Sequence, residues 1–99
     1  MSTTSRAILP SSVVVATDGQ VSASLERDQV VLNVTSGHYF RLQGTGGRIW
    51  ELLREPVRVD RILETIVEEY QAERSGCARD LIEFLGELKD RELIEIVSS

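Results

Sequence analysis

The sequence predicts an α+β domain in which a small antiparallel sheet of three strands is followed by three short helices. Three observations predict it. Residues 21–42 hold three short runs rich in β-branched and aromatic residues, separated by polar or glycine-bearing turns. Residues 46–91 change to apolar spacings of three and four, the period of a helix. Between the two regions lies Gly44-Thr45-Gly46-Gly47, a corner rich in the residue that strands tolerate least.

Taken in order, residues 1–12 are polar and interrupted by Pro10, and they read as a loose tail. Val13-Val14-Val15-Ala16 is a short apolar run before the turn signal Thr17-Asp18-Gly19. It reads either as an edge strand or as a segment packed on the sheet. Val21, Ala23 and Leu25 alternate with Ser22 and Ser24, the period-2 signature of a half-buried strand. After the polar turn 26–29, Val30, Leu32 and Val34 share a face, opposite Val31 and Asn33. Thr35-Ser36-Gly37 makes a turn in which Gly37 takes positive φ without steric cost. His38, Phe40 and Leu42 then share a face, opposite Tyr39 and Arg41. Short connections make these strands an antiparallel meander. The 38–42 strand then lies on an open edge, unless 13–16 or the C-terminus covers it.

The first helix spans about 46–54, with Thr45 as N-cap and Pro56 as its stop. The second begins near Asp60 as N-cap and carries Ile62, Ile66 and Tyr70 at steps of four, with Leu63 and Val67 beside them. Ser75 or Gly76 opens the third, whose apolar stripe is Cys77, Leu81, Phe84 or Leu85, and Leu88. Residues 93–97 form a short β-prone end. A small meander followed by three short helices is a winged-helix-like arrangement.

Ninety-nine residues suffice for one small core. With 41% hydrophobic and 27% charged residues, the chain is of globular rather than disordered composition. No apolar run approaches a membrane span, so no membrane partner is expected. Residues 1–12 have no long apolar stretch and do not read as a secretory signal. The lone Cys77 forms no internal disulfide, and a cytoplasmic location is the expectation. The net charge of −5 comes wholly from residues 44–99: residues 1–43 hold three acids and three bases, residues 44–99 thirteen acids and eight bases.

Catalytic chemistry is sparse. His38 is the only histidine and Cys77 the only cysteine, and no motif joins them. One of each cannot assemble a metal cluster, so neither metal nor cofactor is expected. The carboxylates lie on helix faces at solvent spacing. The glycine corner invites a phosphate-loop reading. Its spacing fails both nucleotide fingerprints, since Ile49 stands where a third glycine is needed and no Gly-Lys-Ser/Thr follows. A winged helix also suggests DNA. The third helix, read as 77–91, would be the reading helix, and it sets Arg79, Lys89 and Arg91 against Asp80, Glu83, Glu87 and Asp90. A net-acidic helix is repelled by phosphates, so nucleic-acid binding is the alternative and not the first reading.

One run carries a family resemblance. Gly37, Tyr39, Leu42, Thr45, Gly46, Ile49 and Trp50 fit the pattern G-x-Y-x-x-L-x-x-T-G-x-x-I-W, and Val59 and Ile62 follow at the second helix. Residues 20–97 thereby resemble the PqqD family, and most of all the stand-alone recognition proteins of lasso peptide biosynthesis. Residues 1–19 lie outside the match. The resemblance implies a winged-helix RiPP recognition element, a non-catalytic peptide chaperone for ribosomally made, post-translationally modified peptides. Its task would be to bind the leader region of a precursor peptide and present it to a separate maturation enzyme. That enzyme is a leader peptidase in the lasso pathway, and a PqqD-like partnership with a radical enzyme fits the pattern too.

The residues agree with that implication. An open strand offers unpaired N–H and C=O groups to an extended peptide. The expected peptide-binding residues are His38, Tyr39, Phe40, Arg41 and Leu42 on the strand. Leu81, Phe84, Leu85 and Leu88 on the third helix are the expected pocket walls, and Asp80, Glu83 and Glu87 are placed to meet basic leader residues. An obligate dimer that pairs the edge with its own copy is a third reading.

Overall fold

The computed structural model describes residues 8–17, 20–25, 28–34, 37, 39–42 and 44–98. Its elements are β1 (Val13–Ala16), β2 (Gln20–Leu25), β3 (Asp28–Asn33), β4 (Tyr39–Leu42), α1 (Gly46–Leu52), β5 (Val57–Arg58), α2 (Val59–Tyr70), α3 (Arg74–Asp90) and β6 (Ile94–Ser98). The α+β class and the meander followed by three helices are as expected. What the local pattern does not convey is a second sheet. Strands β2-β3-β4 form one antiparallel sheet in sequence order, and β5-β1-β6 form another.

Residues 13–16 are therefore neither an edge strand nor a segment laid on the meander. β1 is the central strand of the second sheet, pairing with β5 on one side and β6 on the other. Its Val14 is fully buried. Residues 8–12 are likewise no loose tail. The Pro10 and Ser12 carbonyls accept the Asp60 and Val59 N–H groups at 3.0 and 2.9 Å. Those are orphan donors of the first turn of α2, which no preceding helical carbonyl can satisfy. Asp60, expected as the N-cap, instead sits in the first turn and accepts from the Arg58 guanidinium at 2.8 Å. Thr45 does occupy the N-cap position of α1, but its side chain makes no capping bond.

The meander buries the less obvious face of β3. Val31 and Asn33 point inward, whereas Leu32 is 38% and Val34 60% exposed. Register explains the choice. Val31 pairs with Phe40 and Gln29 with Leu42, so the inward side is the one that β4 shares with the helices. The polar Asn33 is tolerated there because its amide donates to the Glu92 carbonyl at 2.7 Å. The turn after β3 closes with Gly37 N–H donating to the Asn33 carbonyl at 2.8 Å, and Gly37 takes φ +79°.

The core joins Val14, Val31 and Leu42 of the strands to Ile49, Trp50, Ile62, Ile66, Leu81, Leu85 and Leu88 of the helices. α1 ends at Leu52, before Pro56, and Leu53 turns into the core fully buried. α3 begins at Arg74, just before the expected start at Ser75 or Gly76.

Candidate peptide-binding groove

β4 is held on one side only. Among the described residues it pairs with β3 and with no other strand, and β1 and β6 pair with each other instead of covering it. Both segments that stood as possible covers are thus engaged elsewhere. The sequence makes β4 a strand through Tyr39 and Phe40, and the glycine corner at 44–47 stops it. Gly44 takes φ +58°, a value that glycine adopts without penalty.

α3 lies alongside this edge. The Phe40 and Phe84 rings meet edge-to-face, with centroids 5.7 Å apart and planes at 76°. The Arg91 guanidinium caps the Phe40 ring at 4.9 Å from its centroid. At the other end of the strand, Gly46 stands against Phe84 and Leu42. A Cβ placed on Gly46 would lie 3.3 Å from the Phe84 ring and 3.6 Å from Leu42 Cβ. Tyr39 and Arg91 therefore share one end of the edge, and Leu42 lies with Gly46 and Phe84 at the other.

Beyond Phe84 the groove deepens into a cavity of about 480 Å³ between α1, the end of α2 and α3. Gly46 and Ile49 form one wall, Ile66 and Tyr70 a second, and Cys77, Leu81 and Phe84 a third. Glu73 and Asp80 also line it. A shallower hollow of about 460 Å³ lies at the opposite end, bounded by Gly37, Tyr39, Phe40, Arg41 and Arg91. An exposed ion pair joins α1 to α2. Arg48 donates to both carboxylate oxygens of Glu69 at 2.9 Å. That hydrogen bond holds the Glu69 carboxyl below its ordinary value and raises the Arg48 guanidinium.

The expected site residues divide. Tyr39 and Arg41 are exposed on the outer face, Phe40 is half-buried against Phe84, and the Leu42 side chain belongs to the core. Asp80, Leu81 and Phe84 line the cavity. Leu85 and Leu88 do not: both are fully buried and belong to the core. Residues 81, 85 and 88 follow the inward stripe of α3, whereas the groove takes the neighbouring stripe. Glu83 and Glu87 are exposed and line neither hollow. His38 lies outside the described residues.

Sequence reading missed Gly46, Ile49, Ile66, Tyr70, Glu73, Cys77 and Arg91. A signal existed for part of this set. Glu73, Cys77, Asp80, Phe84 and Arg91 recur at helical spacing, one step round from the core stripe. Only the position of β4 shows that this second stripe faces a groove.

The groove offers recognition chemistry. Burial, and then the Asp80 charge, push the Cys77 thiol above its ordinary 9.0, so it stays protonated at neutral pH and is a poor nucleophile. Among the described residues, no three His, Cys, Asp or Glu side chains converge to hold a metal ion. Among the same residues, no helix is long and apolar enough to cross a membrane.

Comparison with known proteins gives three findings. A family profile described as coenzyme PQQ synthesis protein D (PqqD) matches residues 28–94. A solved structure described as TbiB1 in complex with the TbiA(beta) leader peptide is 40% identical, with a TM-score of 0.73 over 82% of this chain and 94% of that one. A second, described as lasso peptide synthetase B1 complexed with the leader peptide, has a TM-score of 0.71 over 83% of this chain and 96% of that one. At 22% identity, the second match speaks to the fold alone. No curated protein matches the sequence significantly.

Proposed function

Because the chain belongs to the PqqD family, we propose that it is a non-catalytic adaptor for the leader region of a ribosomally made precursor peptide. In this reading the leader adds as a strand to the free edge of β4. The chain then presents it to a separate maturation enzyme, a leader peptidase of lasso peptide biosynthesis, in the cytoplasm. The recognition domain of this reading takes in residues 20–97 together with β1, the central strand of its second sheet.

The observation that carries the proposal is the free edge of β4 lying beside an apolar cavity on α3, in a chain 40% identical to a protein seen with a leader peptide. The energetics require both parts. Added backbone hydrogen bonds contribute about 0.5–1.5 kcal/mol each, so the few that a short strand offers supply only several kcal/mol. Micromolar binding needs about 8 kcal/mol after ordering costs. An apolar side chain seated in the cavity adds about 1.5–3 kcal/mol. Tyr39, Phe40, Arg41 and the Leu42 backbone would touch the peptide directly, with Asp80, Leu81 and Phe84 around its anchor.

A titration with the TbiA(beta) leader and a scrambled control tests the proposal. Saturable binding of the leader alone is expected. Equal response to both peptides, with a cooperatively folded sample, would reject it. The nucleic-acid alternative is not favoured. α3 holds Asp80, Glu83, Glu87 and Asp90 against Arg74, Arg79 and Lys89, and no salt-sensitive retention on duplex DNA is expected.

A further inference from the structure

Gly46 stands where a side chain would press on the groove. It is buried at the start of α1, against Leu42 at the end of β4 and Phe84 of α3. Its backbone does not call for glycine. Among the described residues, positive φ at glycine falls on Gly37 and Gly44, and Gly46 is helical. The surroundings use its missing side chain instead. A Cβ at this position would lie 3.3 Å from Phe84 Cζ, 3.5 Å from Phe84 Cε1 and 3.6 Å from Leu42 Cβ. The first distance is shorter than the optimal separation of two carbons, about 3.5–4.0 Å. Gly86 gives the contrast. It lies in the same helix as Phe84, two residues on and so about half a turn away, and a Cβ there meets nothing within 4 Å.

The neighbours of Gly46 have one direction in which to yield. Leu42 is fixed in the core. The Phe84 ring is held on the β4 side by its edge-to-face contact with Phe40. Its open side is the cavity that it lines. A methyl group at position 46 therefore drives the ring into that cavity, where an incoming side chain would sit.

We propose that Gly46 is a positioning residue for peptide recognition. By leaving its side-chain place to the Phe84 ring, it keeps the cavity wide enough for a bulky apolar anchor beside the free edge of β4. The inference rests on the leader-binding reading and adds to it the residue that sets the size of side chain admitted. A narrower cavity discriminates against large anchors and leaves the strand ladder as it was.

The test uses the TbiA(beta) leader as parent, with its anchor located by alanine scanning as the apolar residue whose truncation costs most affinity. Gly46→Ala is expected to weaken binding about tenfold, the effect of overpacking at a close contact. Gly86→Ala, the same change in open space, should leave affinity within about twofold. The Gly46→Ala loss should disappear in two settings: against the leader whose anchor is truncated to alanine, and in a Phe84→Leu background, where no ring faces position 46. A Gly46→Ala variant that folds cooperatively and binds the parent as the wild type does would overturn the proposal and leave strand addition standing. So would a loss that persists in full against the truncated leader, because position 46 would then act without the anchor. Failure of the parent leader to bind the wild type would overturn both readings.

Discussion

The two sheets of this small protein have three strands each and are built in opposite ways. In β5-β1-β6 the central strand comes from near the N-terminus and pairs with a strand at the far end of the chain, Val13 opposite Ser98. Further backbone bonds fasten this segment to the residues that follow α1 and α3, Ala16 N–H to the Leu53 carbonyl at 2.8 Å and Thr17 N–H to the Leu93 carbonyl at 3.0 Å. In β2-β3-β4 every pairing is between successive strands, and one side of β4 is left without a strand partner among the described residues. The sheet built from distant segments closes the fold. The sheet built from neighbours leaves an edge beside α3. A local meander needs no long-range closure, so its last strand can remain open without loss of the fold.

The largest effect that would break this contrast is expected in the β5-β1-β6 sheet. Val14→Asp places a charge at a fully buried position of β1, where burial without a partner costs several kcal/mol. Loss of the cooperative denaturant transition is expected; a transition near the wild-type midpoint would mean that β1 is dispensable. The next effect belongs to the groove. Phe84→Ala removes a cavity wall and the ring against Phe40. Leader affinity should drop at least tenfold, while stability falls by about 1–3 kcal/mol, at the low end for a half-buried ring. Equal affinity in a folded variant would place binding elsewhere.

A smaller change tests the joint between the sheets. Asn33 of β3 and Thr17 beyond β1 both donate to the Glu92 carbonyl, at 2.7 and 2.9 Å. Asn33→Ala should cost about 1 kcal/mol of stability and leave leader affinity within about twofold, read by denaturant titration and fluorescence polarisation. The smallest effect is the Arg48–Glu69 clamp. Its hydrogen bond lowers the Glu69 carboxyl in the folded state, so its stabilisation is present above the unfolded carboxyl value and is lost as pH falls through the folded one. Melting temperature followed from pH 7 to pH 3 should show a shallower acid decline in Glu69→Gln than in the wild type. Parallel curves would show that this exposed pair adds nothing.

The residues of the groove were unequally legible in the sequence. Tyr39, Phe40 and Arg41 could be placed on a strand by composition and on opposite faces by alternation, because both depend on near neighbours. Asp80, Leu81 and Phe84 could be placed on a helix for the same reason. Leu85 and Leu88 were legible as apolar but not as core, since a helix shows its stripes without showing which neighbour each one meets. Arg91 and Cys77 were overlooked as parts of the site because an arginine over a ring, and a thiol in a wall, have meaning only once β4 and α1 are beside α3.

By itself the sequence determined the meander, the three helices after it, the glycine corner and the acidic character of the helical half. Each is written in spacings of two, three or four residues and in the torsional preferences of single residues. The pairing of β1 with β6, the capping of α2 by the carbonyls of Pro10 and Ser12, and the burial of Asn33 in place of Leu32 were decided only by tertiary structure. They join segments far apart in the chain, where no local period operates. The face that wins is the one that lets the whole core close with its polar groups paired. The open edge of β4 belongs to the same class, since an edge is open only when every other strand has found its partner elsewhere.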